Sequence, residues 1–195
     1  MPRDLFELPL FPLNTVLFPG GTLPLKVFEQ RYVEMTKLCV RDGSPFGVCL
    51  IREGREVGEP AIPATIGCTA RIAQWDVPHP NLFHLVAVGE QRFRIVRSEV
   101  AALGLLTCQA ELVPAEAAQE APDALCRKVL AALVERFGAE QFPTPLCFDD
   151  AAWVSYRLAE ALPLHVDVRQ QLLETDAPAA RLEVLREILS TAGMT

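Results

Sequence analysis

The sequence contains no Gly-Lys-Ser or Gly-Lys-Thr, no Cys-x-x-Cys and only three histidines. The first absence removes the P-loop, whose backbone amides and Lys hold nucleotide phosphates. Lys26, Lys37 and Lys128 all sit in apolar or helical contexts instead. The second absence removes zinc-ribbon and thioredoxin-type chemistry. His79 and His84 flank a proline-containing turn and are five residues apart, which is not zinc spacing. No metal and no cofactor is therefore expected. The serines are Ser44, Ser98, Ser155 and Ser190. A triad could only assemble in space, from Ser155 and His165 for example. Ser155 falls inside a helical pattern and His165 at a helix start, so packing and capping account for them better. No catalytic residue is assigned. No run approaches 18 apolar residues, so no segment reads as a transmembrane helix. There is no internal repeat and no low-complexity tract.

Positive charge is also scarce. Lys plus Arg number 18 against 25 Asp plus Glu, for a net charge of −7. The imbalance is local: residues 1–114 carry 11 basic and 12 acidic side chains, residues 115–195 carry 7 and 13. Neither part has the basic footprint that phosphate contacts need, so nucleic acid is not an expected partner. Cys39, Cys49, Cys68, Cys108, Cys126 and Cys147 are far apart and lie in apolar settings. They read as buried, reduced thiols rather than a disulfide framework. Met1-Pro2-Arg3-Asp4 leads into a proline-broken pattern and not into an apolar signal region. The expected compartment is the cytoplasm, with no membrane partner.

What is present is a chain of 195 residues, half of them hydrophobic. A chain of this length buries roughly 70% of its unfolded surface and needs no covalent staples. Its most unusual stretch is LPLFPLNTVLFPGGTLPLKVFEQRY, Leu8 to Tyr32. Pro9, Pro12, Pro19 and Pro24 punctuate three apolar segments, which predicts kinked edge strands. Phe28 to Asp42 has helical spacing with Phe28, Tyr32, Met35 and Leu38 or Cys39 on one face, and Gly43 is its stop. FGVCLI at 46–51 predicts a strand, followed by a charged loop at 53–63. Strands are then expected at 65–75, 82–88, 91–96 and 105–113, with a turn at Gly89-Glu90. Arg92 and Arg94 alternate with Phe93 and Ile95 and predict a half-solvated strand. From Pro114 the composition becomes helical. One helix starts at Pro122-Asp123 with Leu125, Val129, Leu133 and Phe137 as its apolar face. Three more follow: to Leu162 from an Asp149-Asp150 cap, over 166–174, and over 178–189. Close-spaced strands followed by helices predict an α+β chain: a small barrel over residues 1–114 and a helical bundle over 120–195.

The opening stretch resembles the start of the N-terminal, substrate-binding domain of Lon, an ATP-dependent protease. FGVCLI, TIGCTARI at 65–72, VGEQRFRI at 88–95 and RQQLLETDAPAARLEVLREIL at 169–189 continue the resemblance over nearly the whole chain. Cys68 stands where the family often has a small or hydroxyl residue. The resemblance, to a free-standing Lon N-terminal domain, implies a PUA-like β pseudo-barrel with one early helix, followed by a C-terminal α-helical bundle. It implies a non-catalytic protein, because the parts of Lon that hydrolyse ATP and cut peptides through a Ser-Lys dyad have no counterpart motif here. It also implies recognition of polypeptide: unfolded segments, or a protein partner linked to proteolysis or quality control. The alternative is an RNA-binding module, since PUA-like barrels of other families bind RNA. The sequence leaves the oligomeric state open, a homo-oligomer included.

Glu29 and Arg31 are expected to brace helix against barrel as an ion pair, with Arg92 and Arg94 facing outward. An exposed apolar edge binds extended chain by strand addition plus side-chain pockets. Residues 8–25 carry more apolar side chains than a kinked edge can bury. The expected polypeptide-binding anchors are therefore Leu13, Leu17, Phe18 and Leu23.

Overall fold

The computed structural model describes residues 4–114 and 122–193. The expected start of the helical subdomain at residue 120 lies outside the described residues. The chain divides into two compact units, Met1–Pro114 and Ala115–Thr195.

The first unit holds the sheet. Its strands are β1 (Phe6–Leu13), β2 (Thr22–Val27), β3 (Phe46–Glu53), β4 (Ile62–Pro63), β5 (Ile66–His79), β6 (Leu82–Val100) and β7 (Leu106–Leu112). Helix α1 (Gln30–Asp42) lies between β2 and β3 in the chain. The strand order is β1-β7-β6-β5-β3, and β1 also pairs with β3, which closes the ring. β2 adds to β6 and β4 to β3. All pairs are antiparallel except β1–β3. Closure gives every strand of the ring two partners and leaves β2 and β4 as the outer strands.

β1 is not an edge strand, contrary to the expectation from its prolines. Phe6 to Pro9 pair with β7, and Leu10 to Leu13 pair with β3. The strand changes partner halfway, so each proline needs to spare only one side. Pro9 can turn its missing N–H away from β7, and Pro12 away from β3. A second difference concerns Gly89-Glu90. β6 runs unbroken through both residues. Gly89 marks a close approach and not a turn: a Cβ there would lie 2.3 Å from the carbonyl oxygen of Phe18.

The barrel interior is filled by Phe11, Leu13, Leu17, Val27, Phe46, Val48, Phe83 and Leu85, with Tyr32, Val33, Met35 and Cys39 of α1 closing over them. Phe11 and Tyr32 stack at 4.1 Å between ring centroids. α1 ends on Gly43 at φ +62°, a left-handed stop that glycine adopts without a Cβ clash. Its buried stripe is Tyr32, Met35 and Cys39; Phe28 and Leu38 of the expected stripe are exposed. Phe28 precedes the helix, so its side chain is not bound by helical spacing.

The second unit contains α2 (Ala124–Phe137), α3 (Ala151–Ala161), α4 (Val166–Glu174) and α5 (Pro178–Thr191). Asp123 and Asp150 cap α2 and α3 by accepting from main-chain N–H groups. The buried stripe of α2 is Cys126, Leu130 and Val134, one position beyond the expected one. Leu125, Val129 and Leu133 flank it half-buried, and Phe137 is exposed. On α5, Leu182, Leu185 and Leu189 are buried as their spacing requires. Of the six cysteines all are free thiols; five are buried and Cys147 is half-buried. No helix among the described residues is long and apolar enough to cross a membrane.

Candidate functional site

The connection between β1 and β2 turns its apolar side chains inward. Leu13, Leu17 and Phe18 keep only 6%, 3% and 0% of their surface in water. None of the three presents an exposed anchor. The cause is the way the Pro19-Gly20-Gly21 turn docks. Gly20 N–H donates to the Gly89 carbonyl at 2.8 Å, and Gly89 N–H donates to the Gly21 carbonyl at 2.9 Å. With the backbone held against β6, the adjoining side chains point into the barrel. Leu23 is half-buried on β2 and packs against the same core.

A groove of about 540 Å³ opens where β2, β6 and β5 lie side by side. Three consecutive rungs line it: Pro24–Val86–Gln74, Leu25–Leu85–Trp75 and Lys26–His84–Asp76. The lining is mostly apolar. Side chains alternate across a sheet, so Pro24, Val86 and Gln74 share a face with Lys26, His84 and Asp76. Leu25 and Trp75 share the other face with buried Leu85. Trp75 is nevertheless 53% exposed, because β5 and β6 extend as a hairpin with its turn at Pro80-Asn81. Its ring lies 6.3 Å from that of Phe83. The sequence marked β2 as unusual through Pro24, but nothing local tied it to residues 74–76 and 84–86.

Polar groups near the barrel are largely committed to structure. Arg31 is buried; it pairs with Glu29 at 3.0 Å, donates to the Gly104 carbonyl at 3.2 Å and lies 4.7 Å above the Tyr32 ring. This is the expected brace between α1 and the barrel. Burial pushes the Tyr32 hydroxyl pKa up, against the pull of Arg31. Arg94 is exposed and faces Glu111 at 3.6 Å, but Arg92 is buried, not outward. The register brings Arg92 opposite Cys68 and Arg94 opposite Ile66. A register shift between Cys68 and Ala70 interrupts simple alternation there. Arg71 pairs with Glu90 at 2.8 Å.

Ser155 and His165 serve separate structural ends. Ser155 is buried, donates to the Ala152 carbonyl and accepts from Arg181 Nε at 3.0 Å. His165 caps α4 by accepting from Asp167 N–H at 3.4 Å. Among the described residues no group of three or more His, Cys, Asp or Glu is placed to hold a metal ion. Burial raises the thiols of Cys49, Cys108 and Cys126, the last two to about 12. Such thiols are inert small hydrophobes and not nucleophiles.

The first unit is thus a closed barrel with an apolar groove on three strands, and a helical unit follows it in the chain. Known proteins share this build. Residues 7–191 match the model of the ATP-dependent protease La (LON) substrate-binding domain, and the chain belongs to that family. It is 32% identical to Lon protease 2 of Myxococcus xanthus over 198 aligned residues, covering 94% of this chain and 23% of that protein. It is 30% identical to Lon protease of Anaeromyxobacter dehalogenans, again covering 94% of this chain and 23% of the relative. The chain thus spans about a quarter of the length of the curated relatives it matches. Among solved structures it superimposes on a Lon N-terminal domain protein from Xanthomonas campestris with a TM-score of 0.78. That match has 38% identity and covers 93% of this chain and 98% of the other. The N-terminal domain of a Mycobacterium avium complex Lon protease shares the fold at 21% identity and a TM-score of 0.70, covering 95% and 98%.

Proposed function

We propose that this chain binds polypeptide, unfolded segments or a partner protein, at the groove between β2, β6 and β5, without catalysing a reaction on it. The observation that carries the reading is the apolar groove, in a chain whose family is defined by substrate binding. Apolar client side chains leaving water over Pro24 and Val86 on one face, and over the exposed Trp75 on the other, would supply the affinity, and no cofactor is required. Of the four anchors the sequence suggested, Leu23 adjoins the groove on β2, whereas Leu13, Leu17 and Phe18 act from beneath by fixing the barrel. Nucleic acid suits this surface less well. Among the described residues Lys26 is the one Lys or Arg in the groove lining, and the neighbouring Arg71 is paired with Glu90. A role in proteolysis or protein quality control in the cytoplasm fits such a binder.

Fluorescence anisotropy of a labelled, unfolded casein fragment tests the reading. Trp75→Ala should weaken binding about tenfold, the scale of a central aromatic contact. The thermal midpoint should change little, because half the side chain is already in water. Amide exchange should show protection at 22–27 and 74–86 when the fragment binds. Protection confined to 122–193, or an unchanged affinity in the Trp75→Ala chain, removes the groove as the site.

A further inference from the structure

The hydrogen bond from Gly89 N–H to the Gly21 carbonyl fixes which way every backbone group of β2 points. In an antiparallel ladder such a bond brackets a non-hydrogen-bonded pair, here Thr22 with Val88. Hydrogen-bonded and non-bonded pairs alternate, so Leu23, Leu25 and Val27 exchange bonds with β6. Thr22, Pro24 and Lys26 turn their backbone groups the other way. This is the one phase in which Pro24 deprives the β2–β6 ladder of nothing. Among the described residues β2 pairs only with β6. Its outer edge therefore offers three carbonyls, of Thr22, Pro24 and Lys26, and two N–H donors, of Thr22 and Lys26. The side chains of the same three residues share the face that carries Val86, Gln74, His84 and Asp76.

Two of those side chains set what the edge accepts. Pro24 is an apolar rung end beside Val86. Lys26 is exposed and has no ion-pair partner among the described residues. Asp76 lies two strands away on the same rung, about 10 Å by strand spacing, too far to neutralise it. A Pro and a Lys on an edge discourage indiscriminate pairing. The same pair leaves the edge open to a strand that needs no donor at Pro24 and brings a negative charge to Lys26.

We propose that a client is held as an added strand along the free edge of β2, with an acidic side chain opposite Lys26 and an apolar one opposite Pro24, two residues apart. This rests on the groove being a polypeptide site. Backbone bonds to Thr22, Pro24 and Lys26 supply sequence-independent grip. The Pro24 and Lys26 rung ends supply preference, by the same cross-strand pairing that stabilises sheets.

The test uses nine-residue Ser/Thr peptides, acetylated and amidated, each with one Phe and one Asp two residues apart, in both orders. Counterparts carry Lys in place of Asp. Trp75 emission in a Trp153→Phe chain reads binding. The Asp peptides should bind about two- to fivefold more tightly than the Lys peptides, and Lys26→Glu should reverse the order. Backbone N-methylation should cost about tenfold or more when placed on one alternating set of peptide residues and nothing on the other. Which set loses tells whether the added strand is antiparallel or parallel. If both methylated sets bind alike, or Lys26→Glu leaves the Asp preference intact, strand addition at this edge is wrong while binding in the groove stands. If no peptide binds but the casein fragment still protects 74–86, the edge is again excluded. If neither binds, the groove reading falls and takes this one with it.

Discussion

Single residues fix the surface that the groove occupies, and Gly89 is the clearest. It lies in the middle of β6, where its carbonyl accepts from Gly20 N–H and its own N–H donates to the Gly21 carbonyl. The room for a Cβ is filled by the Phe18 carbonyl oxygen at 2.3 Å, with Leu17 Cγ and Cys68 Sγ at 3.1 Å. The nearest atom belongs to backbone and cannot swing aside as a side chain would. Gly89→Ala should therefore destabilise the chain by roughly 1–3 kcal/mol, the scale of an overpacked core, and lower its urea midpoint. A midpoint equal to wild type would mean that the β1–β2 connection can lift off β6. The apolar content of residues 8–25 was plain in the sequence. That it faces inward was not, because side-chain direction there depends on bonds to a residue some seventy positions away.

At the scale of elements, the prolines and the helix ends decide most. The prolines of β1 suggested an edge strand on a rule that holds for a strand with one partner throughout. A strand that trades β7 for β3 halfway escapes that rule. Helix signals were more reliable, because capping is chemistry between neighbours: Gly43, Asp123 and Asp150 act where they were expected. Between α3 and α4 a long-range device appears. Arg169 of α4 donates to the Glu160 and Leu162 carbonyls at the end of α3, at 3.4 and 3.2 Å, where cations suit the helix dipole. Burial raises the Glu160 carboxyl to about 7, opposed by Arg157 and Arg169. Arg157 stands 3.3 Å away, and the 30% of the carboxyl side chain that still meets water limits how far burial can push it.

An acid whose folded pKa lies above its unfolded value binds more protons when folded. Stability should then fall as pH rises from the unfolded value near 4.5 towards 7. Glu160→Gln should flatten this part of the stability profile, measured by urea unfolding at stepped pH. A slope unchanged by the substitution would assign the pH dependence to other groups.

For the whole molecule, charge and closure act together. The excess of acid sits in residues 115–195, so the barrel-bearing part of the chain is close to neutral. A near-neutral surface with an apolar groove favours contact with protein over contact with phosphate. The chain should show no appreciable RNA or DNA binding at physiological salt in a filter or anisotropy assay. Micromolar or tighter binding that weakens steeply with added salt would move the RNA-binding reading ahead of the polypeptide one.

The sequence by itself determined the order of strands before helices, the caps and stops of the helices, the stripe of α5 and the family. Each rests on residues close in the chain: periodicity, a capping carboxylate, a glycine past a helix end, or runs of residues shared with relatives. The tertiary structure alone decided the partner of each half of β1, the inward turn of Leu13, Leu17 and Phe18, the burial of Arg92 and the groove itself. Those depend on register. A shift of one residue moves every side chain of a strand to the opposite face, and register is set by bonds between residues far apart in sequence. The outward phase of Thr22, Pro24 and Lys26 is of that kind: one hydrogen bond, from Gly89 to Gly21, fixes it.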